Sequence, residues 1–179
     1  MSVRLSIVAL LAGLLFAATA FAQQNYPSIP DLAPTSRYQV NGNGTAIDLQ
    51  TGLMWMRCSL GQDWDAQNST CTGTPQTFTW QAALQAAASL DQNGGYAGFT
   101  DWRVPNIRSL SSLARFHSSD PAINLTVFPG TPSAFFWSAS PVEANTGLIY
   151  AFNAATGKLY FYSLNSRYSV RLVRAGAFK

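Results

Sequence analysis

A short stretch, residues 94–106, constrains the fold more than any other part of this chain. Its sequence is Gly-Gly-Tyr-Ala-Gly-Phe-Thr-Asp-Trp-Arg-Val-Pro-Asn, with three glycines, three aromatic residues and one proline. Glycine permits backbone conformations that other residues avoid, and proline fixes its own φ. The stretch therefore predicts a bent connection with one defined path, whose backbone groups need hydrogen-bond partners near a core.

The triplet Asp101-Trp102-Arg103 in this stretch has a functional and a structural interpretation. In the functional one, Arg103 binds an anion and Trp102 stacks on a sugar ring. In the structural one, Trp102 fills the core while Asp101 and Arg103 hold loop backbone through charge-assisted hydrogen bonds. The glycines and the proline favour the structural interpretation. We therefore predict a structural motif that consists of Asp101, Trp102, Arg103, Pro105 and Asn106.

Helical patterns lie on both sides of the bent stretch. Residues 79–90 carry apolar side chains at helical spacing, with Thr79 placed to cap the N-terminus and glycines after Asn93 to end the helix. Asn106 can cap a second helix over residues 107–116. His117 is the only histidine and follows this helix, where a structural role is favoured over catalysis.

Short strand patterns make up most of the remaining chain. They lie at residues 38–40, 45–48, 53–58, 135–140, 148–153, 158–163 and 168–174. Turn residues such as Thr51-Gly52 separate neighbouring strands, and such short links suit antiparallel pairing. We therefore predict an α+β fold in which two helices pack on a twisted, mainly antiparallel sheet.

The last of these strand patterns alternates apolar and basic residues. Val170 and Leu172 point to one side of the strand and are predicted to be buried, whereas Arg171 points to the other side. We expect Arg171 either to face solvent or to pair with an acid such as Asp101.

The first 22 residues have the features of a secretory signal peptide. Arg4 precedes an apolar run over residues 5–16, and Ala20-Phe21-Ala22 fits the small-x-small cleavage pattern. A transmembrane anchor is the alternative, but the apolar run is short for a bilayer core of about 30 Å, and polar residues follow it at once. We predict export to the periplasm or the cell exterior, with no membrane span in the mature chain.

Beyond that segment the sequence predicts one domain. Residues 23–37 contain three prolines and little periodicity, which indicates an extended lead-in. Residues 38–179 are numerous enough to enclose a sizeable core, and they show no repeat long enough to indicate duplication. We therefore assign them to a single domain.

The two cysteines, Cys58 and Cys71, indicate a disulfide, because the predicted compartment is oxidising. A metal pair or a redox pair is the alternative, although the Cys-x-x-Cys spacing is absent. The segment between the cysteines is polar, and its acidic and amide side chains offer oxygen ligands. A calcium loop would need more carboxylates and a defined glycine turn, so we predict a solvated disulfide loop and no metal, and leave calcium open.

Charge and titratable residues exclude several classes of function. The formal net charge is +3, and no run of Lys or Arg indicates nucleic acid binding. Catalysis needs convergent titratable groups, but the chain has one His and one Glu, no Gly-x-Ser-x-Gly elbow and no zinc-type cluster. A Ser-His-Asp set stays open. We predict a non-enzymatic protein without a cofactor.

Several of these segments together resemble a known family. They are residues 51–58, Trp80 with Ala83-Leu84, residues 95–106, 108–110, 136–140 and 170–174. In this combination the chain is similar to the C-terminal domain family of the collagen-like adhesin Lcl, from about residue 45 to residue 174. The segments at 136–140 and 170–174 also resemble a wider group, the C-type-lectin-like and sulfatase-modifying-factor folds.

The resemblance implies a secreted or surface-exposed, non-enzymatic domain with a C-type-lectin-like fold. Better-understood relatives look like adhesion modules for anionic polysaccharide, so a glycan is the implied ligand. An envelope assembly protein with a protein partner is the alternative, and a formylglycine-generating-like oxidase is a more distant one, because the paired late cysteines of that branch are missing.

A ligand surface is expected in the variable loops at residues 59–76, 118–134 and 141–147, among which the sequence does not choose. Side chains that can reach a glycan from the surface are Trp64, Arg108, Arg115 and Arg167. Nothing in the sequence indicates an oligomeric state.

Overall fold

A computed structural model describes residues 22–143 and 145–176. The predicted signal peptide, except for Ala22, lies outside the described residues. The α-helices are α1 (Trp80–Gln92) and α2 (Ile107–Ser111). The strands are β1 (Gln24–Asn25), β2 (Tyr38–Val40), β3 (Thr45–Asp48), β4 (Leu53–Met56), β5 (Asp63–Asp65), β6 (Thr70–Thr72), β7 (Ser118–Ser119), β8 (Phe135–Val142), β9 (Asn145–Asn153), β10 (Leu159–Ser163) and β11 (Val173–Ala175).

Two larger sheets organise the molecule, and every strand pair in them is antiparallel. One sheet has the strand order β11-β4-β3-β2, and the other has the order β10-β9-β8. The turn after β3 needs a positive φ, which Gly52 supplies at 71°. The predicted strand–turn–strand unit is confirmed, with its second strand ending at Met56 rather than Cys58, and the buried β4 strand lies inside its sheet.

Two small strand pairs complete the β-structure of the described residues. β1 pairs with β7, and β5 pairs with β6. The first pair docks the predicted lead-in: the Gln23 amide donates to Ser118 Oγ and to the carbonyls of Pro121 and Ile123. The second pair turns the region between the cysteines into a hairpin, where the sequence predicted a loop.

The segment 168–172 joins the two large sheets. Trp137 in β8 donates its backbone N–H to Ser169 O, while Met56 at the end of β4 donates to Leu172 O. Only the last part of the strand predicted at 168–174 is regular, because the segment passes between two sheets and bonds to each in turn. The single sheet predicted from the sequence was therefore wrong, although the α+β class and the antiparallel pairing are confirmed.

The two helices differ in how well the sequence predicted them. α1 begins as expected, with Thr79 Oγ1 accepting from Ala82 N, and Asn106 Oδ1 caps α2 by accepting from Ser109 N at 2.8 Å. α2 ends at Ser111 rather than near residue 116. The hydroxyls of Ser111 and Ser112 each donate to a carbonyl three residues earlier, a local bond that competes with helix propagation.

Apolar side chains form two clusters of buried residues, one around Trp55 and Phe152 and the other around Trp137 and Leu172. α2 contributes Leu110 to the first cluster, and α1 contributes Ala83 and Ala87 to the second. The helices thus contribute to different clusters of the core, although both of them contact β8. No helix in residues 22–143 or 145–176 is long and apolar enough to cross a membrane.

Candidate functional site

The bent stretch begins with a tight two-residue turn. Tyr96 and Phe99 exchange backbone hydrogen bonds, and the two residues between them, Ala97 and Gly98, have φ of 54° and 83°. Positive φ at both central positions is typical of a type I′ turn and requires glycine or a tolerant residue. The glycines of the stretch therefore fix its path, as its sequence indicates.

The structure places Trp102 in the core. Its side chain is 2% exposed, its Nε1 donates to Tyr96 O at 3.0 Å, and its backbone N–H donates to the Asp91 carboxylate at 3.1 Å. Asp91 lies near the end of α1, so the helix and the bent stretch are held together through this residue. Trp102 is thus too enclosed to stack on a ligand.

Asp101 forms an ion pair with the last strand. Arg174 Nε donates to Asp101 Oδ1 at 2.6 Å, and the same guanidinium lies 4.0 Å from the centre of the Phe99 ring. The prediction that Arg171 faces solvent or pairs with Asp101 was wrong. Arg171 is 1% exposed, because the segment that carries it passes between the two sheets.

Arg103 has its backbone and its side chain in different environments. Its N–H and C=O both pair with Val173 at 2.9 Å, which extends the β11 edge. Its side chain is exposed and makes no hydrogen bond or ion pair with the described residues. The prediction that Asp101 and Arg103 hold loop backbone through charge-assisted hydrogen bonds was wrong, because Arg103 contributes through its own backbone and Asp101 pairs with the Arg174 side chain. The Arg103 guanidinium is left available.

A groove lies beside Arg103, between α1 and the bent stretch. We call it the helix groove. Its volume is about 430 Å³, and its lining consists of Leu84, Ala87, Ala88, Asp91, Trp102, Arg103, Val104, Asn106 and Ala139. Small alanines on α1 leave the space open, and Arg103 is the only cation in this lining.

A second groove lies between α2 and the three-stranded sheet. We call it the strand groove. Its volume is about 780 Å³, and its lining consists of Ile107, Arg108, Ala139, Ser140, Pro141, Val142, Glu143, Tyr150 and Leu159. Arg108 is exposed and free of ion pairs among the described residues, while Tyr150 is half-buried and packs edge-to-face against Phe161.

The two grooves adjoin, because Ala139 lines both of them. Asn106 borders the helix groove, and the next residue, Ile107, borders the strand groove. One surface therefore carries two arginines without ion pairs, Arg103 and Arg108, a half-buried aromatic ring, and the carboxylates of Asp91 and Glu143. We call this surface the double groove.

Few cations in the described chain are available to a ligand. Ion pairs engage Arg37 with Asp48, Arg115 with Asp31 and Arg174 with Asp101. Arg57 and Arg171 are buried. The exposed cations outside ion pairs among the described residues are Arg103, Arg108, Lys158 and Arg167. Half of them line the double groove.

The two interior arginines, Arg57 and Arg171, are buried and hydrogen-bonded to neighbouring protein atoms. Arg57 Nε donates to Val127 O at 2.7 Å, and Arg171 donates to the Met56 and Arg57 carbonyls and to Thr131 Oγ1. Burial, together with the nearby Arg57 charge, lowers the pKa of the Arg171 guanidinium to about 9. The group is still charged at neutral pH, and it holds loop backbone rather than a ligand.

The other candidate ligand-binding residues lie apart from the double groove. Trp64 in β5 is half-buried, with the Arg57 guanidinium 4.1 Å from its ring centre and its Nε1 donating to Gly42 O. Arg115 is paired with Asp31, and Arg167 donates to Thr77 O at 2.6 Å. Of the four predicted residues, the structure places only Arg108 in this surface.

Cys58 and Cys71 form the predicted disulfide. The hairpin that it closes carries the oxygen atoms considered for calcium. Asp65 accepts hydrogen bonds from Gln67 N, Asn68 N and Asn68 Nδ2, so its carboxylate closes the hairpin turn. Within residues 22–143 and 145–176, no group of three or more acidic, His or Cys side chains is placed to hold a metal.

The three loops that were expected to carry the ligand surface lie in different environments. Much of residues 118–134 is core, since Ile123, Val127 and Phe128 are at most 1% exposed. Residues 59–76 contain the disulfide hairpin. Only the start of the third loop, residues 141–143, lines the double groove. His117 Nδ1 lies 3.1 Å from Ile29 O, a contact with the lead-in.

Sequence reasoning missed Tyr150 and Glu143. The alternation in residues 148–153 was the available signal for Tyr150, because Ile149 and Ala151 must point away from it and are buried. No pattern identified Glu143, since its place in the groove depends on how β8 passes α2.

Comparison with known protein families identifies a match. The family model described as the Lcl C-terminal domain matches residues 44–174. None of the curated proteins compared with the chain matches it. The matched region includes every residue of the double groove and both cysteines.

Proposed function

The chain belongs to the Lcl C-terminal domain family, and from that membership we propose that it is an exported, non-enzymatic binding module whose ligand is an anionic glycan. The family suggests an adhesin-like extracellular module, and the disulfide agrees with an extracellular or envelope location. Export through the signal peptide at residues 1–22 and a C-type-lectin-like relationship are part of this proposal.

Two unpaired arginines in adjoining grooves carry the proposal. Arg103 and Arg108 line the two halves of the double groove and have no acidic partner among the described residues. A guanidinium offers a planar fork of donors that matches a carboxylate or a sulfate. A ligand with more than one anionic group can engage both arginines.

The rest of the double groove suits a sugar. Tyr150 presents a half-buried aromatic face, and Leu159 extends this apolar wall with 46% of its surface exposed. Aromatic and apolar walls with a few placed polar groups are typical of ligand sites. Glu143 supplies acceptors for sugar hydroxyls, so the groove combines charge recognition with contacts that a simple polyanion would not use.

A calorimetric titration of the mature protein tests this proposal. The probes are a heparin-type sulfated oligosaccharide and a neutral oligosaccharide of equal length, at moderate salt. Arg103→Gln and Arg108→Gln should each weaken binding of the sulfated probe about tenfold, since each removes a charge-assisted contact. Arg167→Gln removes the same charge elsewhere on the surface and should leave affinity nearly unchanged.

Two outcomes would count against the proposal. Absence of binding to both probes, with the protein folded, would contradict glycan recognition. Equal weakening by Arg103→Gln, Arg108→Gln and Arg167→Gln would indicate diffuse attraction and remove the double groove from the explanation.

A protein partner in the envelope is the second candidate function. The observation that favours it is the edge strand β10, where Leu159, Tyr160 and Phe161 are 46%, 40% and 56% exposed. Recovery of one partner in equal amount from an envelope extract, without glycan binding, would favour this function. An oxidase of the formylglycine-generating kind gains no support, because Cys58 and Cys71 are joined to each other.

A further inference from the structure

We propose that β10 pairs with β10 of a second copy of this chain, in an antiparallel arrangement whose two-fold axis passes through Phe161. This proposal does not depend on the proposed glycan function. It follows from the hydrogen-bond register of the edge strand, from its side chains and from its local sequence.

The hydrogen bonds to β9 fix which backbone groups of β10 are free. Asn153 N donates to Lys158 O, and Leu164 N donates to Gly147 O, so even-numbered residues bond inward. In an antiparallel pair, alternate residues bond to the neighbour and the residues between them point the other way. The N–H and C=O groups of the odd-numbered residues Leu159 and Phe161, together with the N–H of Ser163, therefore point away from the sheet.

This edge lacks the features that usually protect edge strands. Natural edges carry Lys, Pro, bulges or a covering element. β10 has the sequence Leu-Tyr-Phe-Tyr-Ser, without charge or proline, and its register with β9 is unbroken over all five residues. It is the outermost strand of its sheet, and its residues 159–161 are all exposed.

The occupant is a second copy because the strand is complementary to itself. Tyr160, Phe161 and Tyr162 read the same in both directions. A two-fold axis at Phe161 makes this residue a hydrogen-bonded pair with its own copy and places Leu159 opposite Ser163. Tyr160 then faces Tyr162 of the second copy in a non-hydrogen-bonded pair, where side chains approach most closely and aromatic pairs are favourable.

Charge agrees with this register. The nearest charges to the strand along the sequence are Lys158 and Arg167. With the axis at Phe161, Lys158 lies opposite Leu164 of the second copy, so no like charges face each other. Pairing joins the two three-stranded sheets into one of six strands. Because Leu159 lines the strand groove, the two grooves then lie on the same face of the joined sheet.

Sedimentation analysis of the mature protein over a wide concentration range tests the proposal. Wild-type protein should reach a dimer, whereas Phe161→Lys and Phe161→Glu should each stay monomeric, because the axis places two like charges opposite each other. A mixture of these two variants should again form a one-to-one dimer. Leu49→Lys, at a side chain 51% exposed in the β3–β4 turn, is the matched control and should dimerise as wild type.

Amide hydrogen exchange of the wild-type protein gives a readout without substitution, should a charged variant fail to fold. Exchange at Phe161 and Ser163 should slow by about tenfold or more on dimerisation, because their N–H groups meet the free carbonyls of Phe161 and Leu159, while exchange at Tyr160 and Tyr162 should change little. A wild-type chain that stays monomeric overturns the proposal, as does a dimer that persists in Phe161→Lys. A monomer that instead binds an extended apolar peptide along β10 overturns it too.

Discussion

Arg174 donates from Nε to Asp101 Oδ1 at 2.6 Å, and this contact ties the bent stretch to the last strand of the chain. The two residues are 73 positions apart in the sequence. This ion pair resembles a second one, between Arg37 and Asp48, in its chemistry but not in its burial. The Asp101 side chain is 55% exposed, whereas that of Asp48 is fully buried.

Burial should therefore decide what each acid contributes to stability. Asp48 accepts from Arg37, from Gln50 N and from Thr51 Oγ1, so Asp48→Asn leaves the largely buried Arg37 guanidinium without its charged partner. We expect Asp48→Asn to lower the free energy of unfolding by about 3 kcal/mol and Asp101→Asn by about 1 kcal/mol or less. Urea unfolding of both variants checks this, and equal losses would contradict it.

Low pH should destabilise the protein through protonation of the buried Asp48 carboxylate. Burial raises the pKa of Asp48, but the hydrogen bonds from Arg37, Thr51 and Gln50 outweigh it, so the pKa lies below its ordinary value. An acid with a depressed folded-state pKa adds stability above its unfolded pKa of about 3.9, and that stability is lost as pH falls through the folded-state pKa. The difference between wild type and Asp48→Asn should therefore shrink below about pH 4. Urea unfolding at a series of pH values measures it, and a constant difference would exclude Asp48 as the cause.

The disulfide should stabilise the domain without contributing to the double groove. It closes a sequence separation of 13 residues, for which chain entropy predicts about 3 kcal/mol. We expect the double variant Cys58→Ala, Cys71→Ala to lose a similar free energy of unfolding and to keep its glycan affinity at temperatures where it is folded. Intact-mass alkylation without reductant should modify no thiol in the wild-type protein, and two modified thiols would exclude the bond in solution.

Local patterns predicted the elements of this fold better than their arrangement. Thr79 and Asn106 cap their helices as expected, because a cap depends on residues only three positions apart. The division into two large sheets depends on the path of residues 168–172, whose alternation alone reads as an ordinary strand. Arg171 was wrongly assigned for the same reason: strand periodicity gives the side of a residue, but not what covers that side.

For the candidate site too, local sequence patterns predicted the residues better than their arrangement. Arg108 could be chosen from sequence because it follows a predicted cap and lies off the apolar stripe of α2. Arg115, chosen on similar grounds, is paired with Asp31 in the lead-in, a contact 84 residues away in sequence. Charge patterns therefore identify cations, whereas only the folded chain shows which of them are already paired.

Tyr150 provides a test of the double groove that does not alter charge. Its ring lines the strand groove, and its hydroxyl makes no hydrogen bond among the described residues. Under the proposed function, Tyr150→Phe should keep the affinity for a sulfated oligosaccharide, and Tyr150→Ala should weaken it by roughly tenfold, since the aromatic face is lost. Titration calorimetry at one salt concentration compares them. Similar loss in both variants would assign the contact to the hydroxyl instead of the ring.

A substitution at Arg171 tests whether its hydrogen-bond donors or the cost of burying its charge has the larger effect on stability. The group is buried without a carboxylate partner, and its desolvation disfavours the folded state. It also donates to the carbonyls of Met56 and Arg57 and to Thr131 Oγ1, and the guanidinium lies 4.8 Å from the centre of the Phe128 ring.

Replacing Arg171 by methionine keeps much of the volume but removes every donor. Each buried carbonyl left without a partner costs about 1–3 kcal/mol, and removal of the unpaired charge offsets only part of this sum. We therefore expect Arg171→Met to lower the free energy of unfolding by about 2 kcal/mol or more, measured by urea unfolding at neutral pH. Arg174→Met, at the ion pair whose carboxylate is exposed, should cost about 1 kcal/mol or less. An Arg171→Met variant more stable than wild type would show that charge desolvation dominates at this position.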